Sequence, residues 1–366
     1  MTSLRFPICF ALVLCVVQIL FSTRAEAQQA SSSSVEPSQV ARRYLPPSDG
    51  PVEVRAAFHI HSVNEIDDEA ETFEFTGVLV LTWHDPRQAF DPERAGVPEI
   101  LYHGAYQFNE LDPAWYPQVV LANVSGLYEK TAVLLRIAPD GTCTLIEKVN
   151  AVAEASFNLR KYPFDAQRLE AVFEIIGFDT DEVVLHAEPV ADPQGKELPR
   201  IPQWTVTGLS ISAQDIGALY AAKNGTTSAF TITVDVTRKP LFVLRMVVGP
   251  LMLIVMLSWS VFWMDQSALG DRMSVSFVGV LTAVAYQVVI GDILPHISYM
   301  TLVNGFLNAS FILMSASVVV NLRVGLLDKR GQTERGDRLD RRCRWIFPAV
   351  YFGWILGTVT MTLLIF

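Results

Sequence analysis

Cysteine is scarce for a chain that begins with an export signal. Only four cysteines occur among 366 residues, and Cys9 and Cys15 lie within the N-terminal apolar run. Cys143 and Cys343 are far apart, one in the first half of the chain and one beside the last apolar run, so they provide no disulfide framework. The exported half must therefore fold on its hydrophobic core alone, which about 200 residues can supply.

Enzyme and nucleic-acid signatures are missing as well. The sequence contains no nucleophile elbow, phosphate-binding loop or zinc-binding helix motif. The 38 acidic residues outnumber the 28 basic ones, for a formal net charge of −10, which argues against nucleic acid as a partner. We therefore expect neither an enzyme nor a bound cofactor.

Apolar residues are abundant and unevenly distributed. Residues 1–27 combine Arg5, a long apolar run and "AEA" before Gln28, the layout of a cleaved signal peptide. Residues 28–50 are rich in serine and proline and predict a flexible leader. The mature N-terminus is thus expected outside the cytoplasm.

Residues 51–238 show short alternating runs divided by turn signals. "FEFTGVLVLTW" at 73–83 and "AFTITVDV" at 229–236 are typical of strands, and Pro139-Asp140-Gly141 predicts a hairpin turn. Many such strands with almost no helical period predict an extracellular, all-β, immunoglobulin-like sandwich.

Residues 239–366 predict a transmembrane domain of four helices. Four apolar runs, each near the ~20 residues of a membrane helix, lie at about 241–264, 273–294, 299–322 and 345–366. Four spans place the C-terminus on the same side as the N-terminus. The segment between the last two spans then faces the cytoplasm, as the positive-inside rule requires, and it carries Arg323, Lys329, Arg330, Arg335, Arg338, Arg341, Arg342 and Arg344. We predict a multi-pass membrane protein, in contact with the lipid bilayer, with both termini outside the cytoplasm.

The second apolar run carries a stripe of residues spaced alternately by three and four. At about 100° per residue this spacing confines them to an arc of roughly 100°, and Val284 is expected on the opposite face. Its terminal carboxylates lie about 31 Å apart on a straight helix, close to the hydrocarbon thickness. The stripe consists of Asp271, Ser274, Val278, Leu281, Ala285, Val288 and Asp292.

Two interpretations of this stripe remain open. Several copies around an axis would turn it into acidic rings at both mouths of a pore with an apolar constriction between them. Alternatively, the stripe packs against a neighbouring helix, with Gly279, Ala283 and Ala285 allowing close approach.

Two loops carry further signals. Tyr162-Pro163-Phe164-Asp165 places aromatic rings around a proline, which favours a cis or otherwise tight turn. Taken alone, such a stretch is more often a structural corner than a functional element. "FDTDE" at 178–182 offers hard oxygen ligands for a divalent cation that would modulate the protein: Asp179, Asp181 and Glu182.

Together these segments resemble the prokaryotic pentameric ligand-gated ion channels of the Cys-loop receptor superfamily. The resemblance covers residues 50–366 and includes the Tyr162–Asp165 turn and an Arg-x-Pro entry into the first span at Arg238 and Pro240. Further matches are "TWHD" at 82–85, "WYPQVVLAN" at 115–123, "ILPHISY" at 293–299, "SWSVFWM" at 258–264 and "RCRWIFP" at 342–348. The last two are most similar to the amine-gated channel of Erwinia.

The resemblance implies a homopentamer around a central pore, in which each chain has four identical subunits as partners. It also implies a bacterial protein of the inner membrane, with the C-terminus and a ligand-binding sandwich on the periplasmic side. It implies a cation-selective channel for monovalent ions, with the second helix lining the pore, opened by protons or by a small agonist such as an amine. The alternative is a membrane-anchored binding module of the same fold that does not conduct.

The resemblance also implies roles for residues at the domain boundary. The Tyr162–Asp165 turn would couple the two domains, Asp165 would pair with Arg238, and Asp67 and Asp68 would lie alongside. Pro295 and His296 would belong to the same coupling region. The cysteines that close this loop in animal receptors correspond here to Ala155 and Leu169.

The ligand site departs from the animal pattern. The positions of the aromatic cage that binds quaternary amines correspond to Val78, Ala122 and Ile176, none of them aromatic. The resemblance instead points to three residues near the subunit-interface loops that could hold a small amine: Glu174, Phe178 and Tyr220.

Overall fold

The computed structural model describes residues 45–47, 50–104, 115–188, 201–218, 225–265, 269–291 and 293–365, with side chains described up to residue 360. The predicted signal peptide and nearly all of the predicted leader lie outside the described residues. So do two predicted site residues, Tyr220 and Asp292.

The first part of the chain is a sandwich of two sheets. The strands are β1 (Val52–Asp67), β2 (Thr72–His84), β3 (Ile100–His103), β4 (Val119–Leu121), β5 (Val124–Ile137), β6 (Thr142–Glu154), β7 (Ala166–Ile175), β8 (Val183–Ala187), β9 (Trp204–Gly217) and β10 (Thr226–Arg238). The six-stranded sheet has the order β3-β5-β6-β2-β1-β8, and the four-stranded sheet has the order β4-β7-β10-β9. The β1–β8 pair is parallel and the other pairs are antiparallel, which confirms the all-β prediction.

The sandwich is held by an aromatic core between its sheets. Phe173 of the four-stranded sheet stacks on Phe230 at 5.1 Å and approaches Phe58 of the six-stranded sheet at 5.4 Å between ring centroids. All three are at most 1% exposed. Both described cysteines, Cys143 and Cys343, are buried and unpaired, so burial of apolar surface stabilises the sandwich without a disulfide.

The connections are short turns with clear sequence causes. The predicted hairpin at Pro139–Gly141 joins β5 to β6, and Gly141 adopts φ 87°, a conformation that favours glycine. A 3-10 turn at Pro86–Gln88 begins at the capping carboxylate of Asp85, and the short helix α1 (Pro92–Ala95) follows it.

The second part of the chain is helical. Helix α2 (Leu241–Trp263) contains a π-helical stretch at Leu244–Val248 and ends in a 3-10 turn at Trp259–Trp263. Helix α3 (Leu269–Gly291) and helix α4 (Leu302–Lys329) follow. Among the described residues, these three helices are long and apolar enough to cross a membrane.

The last two helices are longer than the apolar runs from which their boundaries were predicted. Helix α5 runs from Thr333 to Ile365, not from about 345, and α4 continues to Lys329 beyond the predicted end near 322. Only Arg330–Gln332 separate them, so the charged connection of about twenty residues is mostly helix. Hydropathy marks where apolar residues end, whereas charged residues such as Arg and Lys continue a helix readily. The fourth membrane span itself remains a prediction.

Strand β10 leads directly into the helical part. It ends at Arg238 and α2 begins at Leu241, so Lys239 and Pro240 alone connect them. Arg238, one of the residues predicted to couple the domains, therefore lies where the sheet meets the helices.

Candidate functional site

The predicted coupling turn is folded tightly between β6 and β7. The Tyr162–Pro163 peptide bond is cis, both residues are buried, and Phe164 projects with 43% of its surface exposed. Gln167 closes the turn: its Nε2 donates to Asp165 Oδ2 at 2.7 Å and to the carbonyl of Asn158 at 3.0 Å. Asp165 is thus held at a fixed position with 1% of its surface exposed.

Arg238 lies at the centre of the cluster. Its Nε donates to Asp165 Oδ1 at 2.8 Å and its Nη2 to Asp165 Oδ2 at 3.2 Å, the bidentate geometry that arginine forms with carboxylates. The guanidinium also lies 4.0 Å from the ring centroid of Trp204 and 4.8 Å from that of Tyr162. The predicted pairing of Asp165 with Arg238 is therefore present in the structure, and a cation–π contact on each ring reinforces it.

Asp68, rather than Asp67, joins this cluster. Asp68 Oδ2 lies 2.8 Å from Arg238 Nη2. Asp67 instead accepts hydrogen bonds from the backbone N–H groups of Glu69 and Ala70, each at 2.9 Å, and shapes the β1–β2 turn. Burial raises the pKa of Asp68, and the attraction of Arg238 offsets this only in part. Asp68 is the second carboxylate on a guanidinium that already pairs with Asp165.

Contacts from this region reach the segment between α3 and α4. His296 Nδ1 lies 3.2 Å from Glu69 Oε2 at an exposed position. The Tyr299 hydroxyl accepts a hydrogen bond from the Leu159 N–H at 2.9 Å, and the N–H of Leu302 donates to the carbonyl of Arg160 at 3.2 Å. Pro295, half-buried, precedes these contacts. The turns of the sandwich thus contact the segment between α3 and α4 and the first residue of α4.

Sequence reasoning missed Trp204, Gln167 and Tyr299 as members of this region. Trp204 is the register partner of Arg238 across β9 and β10, which places an aromatic ring beside the guanidinium. An arginine at the end of a strand gives no indication of which aromatic residue lies opposite it. Trp204 could have been predicted as the neighbour of Arg238 only by aligning β9 with β10 in the correct antiparallel register.

Helix α3 has one buried and one exposed face. The buried residues Arg272, Ser276, Ala283 and Ile290 are spaced by four or seven, the spacing of a single helix face. The described residues of the predicted stripe are all exposed in the single chain: Asp271, Ser274, Val278 (61%), Leu281 (69%), Ala285 and Val288 (75%).

The small residues of α3 divide between these faces. A Cβ on Gly279 would lie 3.2 Å from the Cβ of Ser258 on α2, and Ala283 is 1% exposed, so both allow helices to pack closely. Ala285 is exposed with the stripe. The prediction that Val284 lies opposite the stripe is wrong: three residues after Leu281 it is about 60° away around the helix, and it is 47% exposed.

Buried polar groups anchor the start of α3, and the sequence did not predict them. Arg272 forms a bidentate pair with Asp340 of α5, with Nη1–Oδ2 and Nη2–Oδ1 distances of 2.8 Å. Its Nη2 also donates to Asn321 Oδ1 of α4 at 2.9 Å, and Asn321 Nδ2 donates to Ser276 Oγ at 2.7 Å. Side chains from α3, α4 and α5 therefore meet in one network.

Two of the predicted ligand residues, Glu174 and Phe178, are described by the structure, and they do not form an open site. Glu174 lies on β7 with 1% of its surface exposed, so a single subunit does not present it to solvent. Phe178 is half-buried and packs edge-on against Trp115 at 6.1 Å, and Trp115 packs against Trp83 at the same distance. Phe178 thus belongs to an aromatic group of the sandwich.

The predicted divalent-cation site has no support in the structure. Within the described ranges no three His, Cys, Asp or Glu side chains lie close enough to hold a metal ion. Asp179 is 2% exposed, and its carbonyl accepts hydrogen bonds from the N–H groups of Glu182 and Val183. Asp181 is exposed, and Glu182 Oε2 accepts a hydrogen bond from the N–H of Asp179 at 3.3 Å. These residues form a turn before β8.

Comparisons with known proteins match both parts of the chain. Residues 39–240 match the neurotransmitter-gated ion-channel ligand binding domain, and residues 247–337 match the neurotransmitter-gated ion-channel transmembrane region. The comparisons do not test the particular likeness to the Erwinia channel.

Three similar proteins illustrate the range of relatives. The proton-gated ion channel of Gloeobacter violaceus is 25% identical over 321 residues, 88% of this chain and 85% of that protein. The gamma-aminobutyric acid receptor subunit beta of Caenorhabditis elegans is 27% identical over 262 residues, 70% of this chain and 46% of its own length. The pH-sensitive chloride channel 2 of Anopheles gambiae is 27% identical over 262 residues, 69% of this chain and 42% of its own length.

Proposed function

The chain belongs to the neurotransmitter-gated ion-channel family, and we propose that five copies form a cation-selective channel with α3 lining the pore. The contrast between the buried face and the exposed face of α3 carries this proposal. Its apolar residues Val278, Leu281 and Val288 are exposed in the single chain, whereas its opposite face packs against the other helices. A fivefold arrangement would turn the exposed face toward a common axis.

Asp271 supports selectivity for cations. Five copies would form an acidic ring at one end of the pore, and a ring of carboxylates attracts cations and repels anions. One similar protein is named a chloride channel, so family membership leaves the sign of the permeant ion to be measured. We propose monovalent cations.

The apolar part of the stripe supports a gate. From Val278 to Val288 it extends about 15 Å at 1.5 Å per residue. Water in so narrow an apolar passage loses hydrogen bonds that the wall cannot replace, so a closed pore would be dry and would hold back ions without a physical plug.

Protons are the agonist to test first. One relative is named a proton-gated ion channel, and the positions that correspond to an amine-binding cage carry no aromatic residue. Asp68, whose pKa burial raises, contacts Arg238 in the coupling cluster and offers a group that protons could neutralise. A small amine is the second agonist to test.

The chain is a multi-pass membrane protein. We place it in the bacterial inner membrane, with the sandwich and the C-terminus in the periplasm. The apparent signal peptide and the basic residues between α4 and the last apolar run support this orientation.

Purified pentamers in planar bilayers test the proposal. In asymmetric sodium chloride, acid steps and amines are applied and the reversal potential is measured. We expect currents that reverse near the sodium equilibrium potential, and Asp271→Asn should reduce the sodium over chloride permeability ratio. Asp235→Asn, which removes an exposed carboxylate from the sandwich, is the matched control. Reversal near the chloride equilibrium potential would overturn the proposal.

A further inference from the structure

Two opposite charges are adjacent at the start of α3. Asp271 is exposed on the stripe, whereas the next residue, Arg272, is 1% exposed on the packed face. Consecutive residues are about 100° apart around a helix, so both side chains begin within a few ångströms of each other. What holds Arg272 away from the exposed face therefore affects the charge of that end of the pore.

Asp340 is the residue that holds Arg272 on the packed face of α3. This carboxylate, 4% exposed, forms two hydrogen bonds of 2.8 Å to the Arg272 guanidinium. Asn321 adds one neutral acceptor at 2.9 Å. Asp340 supplies the only negative charge that the described structure pairs with Arg272 in a salt bridge.

Removing that charge would leave a buried cation with one neutral partner. An unpaired buried charge is strongly destabilising, and the guanidinium group of arginine is a permanent cation in proteins. Its long flexible side chain can instead turn the guanidinium into water. The nearest carboxylate along the helix is that of Asp271.

We propose that Asp340 is a positioning residue for charge selectivity: it keeps Arg272 buried so that the exposed ring at this end of the pore carries the charge of Asp271 alone. The inference rests on the proposed cation channel. Without Asp340, five arginines would neutralise five aspartates, and the ring would lose its net negative charge.

The test compares reversal potentials of three variants and the wild type in bilayers with asymmetric sodium chloride. Asp340→Asn keeps the shape of the side chain and removes its charge, and the sodium over chloride permeability ratio should fall about 10-fold or more. The double variant Arg272→Gln, Asp340→Asn removes the displaced cation as well and should recover the wild-type ratio. Asp337→Asn, an exposed carboxylate on the same helix one turn away, is the matched control and should leave the ratio unchanged.

The outcomes separate the possibilities. An unchanged ratio in an assembled Asp340→Asn pentamer overturns the inference, as does a double variant that is as impaired as the single one, because a purely structural role for Asp340 predicts no recovery. If homomeric Asp340→Asn pentamers do not assemble, co-assembly with wild-type subunits supplies channels with fewer mutant copies, in which an unchanged ratio has the same meaning. An anion-selective wild type overturns the proposed function instead.

Discussion

Replacing Arg238 by glutamine tests the energetic role of the coupling cluster. The variant keeps a polar side chain but removes the cation that Asp165 and Asp68 share. Their side chains are 1% and 17% exposed, so little water reaches the two carboxylates. Two negative charges would then lie close together without a counterion.

The size of the effect follows from this burial. Removing one partner of a buried ion pair costs ~3–5 kcal/mol, and protonation of one carboxylate would keep the loss near ~3 kcal/mol. For a domain of about 190 residues, each kcal/mol lowers the melting temperature by roughly 2–4 °C. We therefore expect the apparent Tm of Arg238→Gln to fall by roughly 6–12 °C.

The assay heats detergent-solubilised pentamers and measures by size exclusion the fraction that remains assembled. Arg168→Gln is the matched control, because it makes the same substitution in a salt bridge to Asp235 that is 3.3 Å long and exposed. Such a pair contributes ~0–1 kcal/mol. Arg238→Gln pentamers should also lose acid- or ligand-evoked current. Equal losses of Tm in both variants, or normal currents from assembled Arg238→Gln pentamers, would refute the reasoning.

Three further predictions concern the gate, the cluster and its link to the helices. Leu281→Ser should open without agonist or at lower agonist concentration, because it gives water a partner in the apolar stripe, whereas Ala283→Ser on the buried face should not; bilayer recordings in which both variants behave alike would contradict this. For Asp68→Asn the sign follows from the raised folded-state pKa of Asp68: the wild type has its extra stability at acid pH and loses it as pH rises through that pKa. The Tm advantage of Asp68→Asn over the wild type should therefore grow from pH 4 to pH 7, and a shrinking advantage would refute the assignment. Finally, Glu69→Gln and His296→Gln should shift the half-activating agonist concentration non-additively, with a coupling below ~1 kcal/mol because both groups are exposed; a double-mutant cycle measures it, and strict additivity would show that the contact plays no part in gating.

The strands that sequence predicts well are those with a long buried face. The run at 73–83 begins with the alternation Phe73, Glu74, Phe75, Thr76, and the structure places it in β2, where buried and partly buried residues alternate along the strand. Strands β3 and β4 have four and three residues, too few to show a period. Strand β9 is longer, but beyond Val206 its residues are mostly exposed on both sides, so the hydrophobic alternation disappears.

Within the candidate site, local sequence patterns predict which residues share a helix face, but they do not predict which side chains from distant parts of the chain pair with each other. The stripe on α3 follows from helical spacing, and its described residues are all exposed as one face. Which of Asp67 and Asp68 turns toward Arg238 depends on how a loop closes, which the sequence does not state. Arg272 and Asp340 are 68 residues apart, and each precedes an apolar run where a charge is expected in any case. No periodicity connects them, so only the packing of the helices reveals the pair.

The short connection between β10 and α2 limits how the two halves of the subunit can move. Two residues, Lys239 and Pro240, separate the last strand residue from the first helical one, and such a segment extends no more than about 7 Å. Strand β10 is hydrogen-bonded on both sides, to β7 and β9, along nearly its whole length. A tilt or rotation of the four-stranded sheet must therefore displace the N-terminal end of α2 in the same direction, because the two-residue connection is too short to take up the movement. At this point the subunit transmits motion through one short connection, and glycines inserted after Pro240 would lengthen it and uncouple the displacement of the sheet from that of α2.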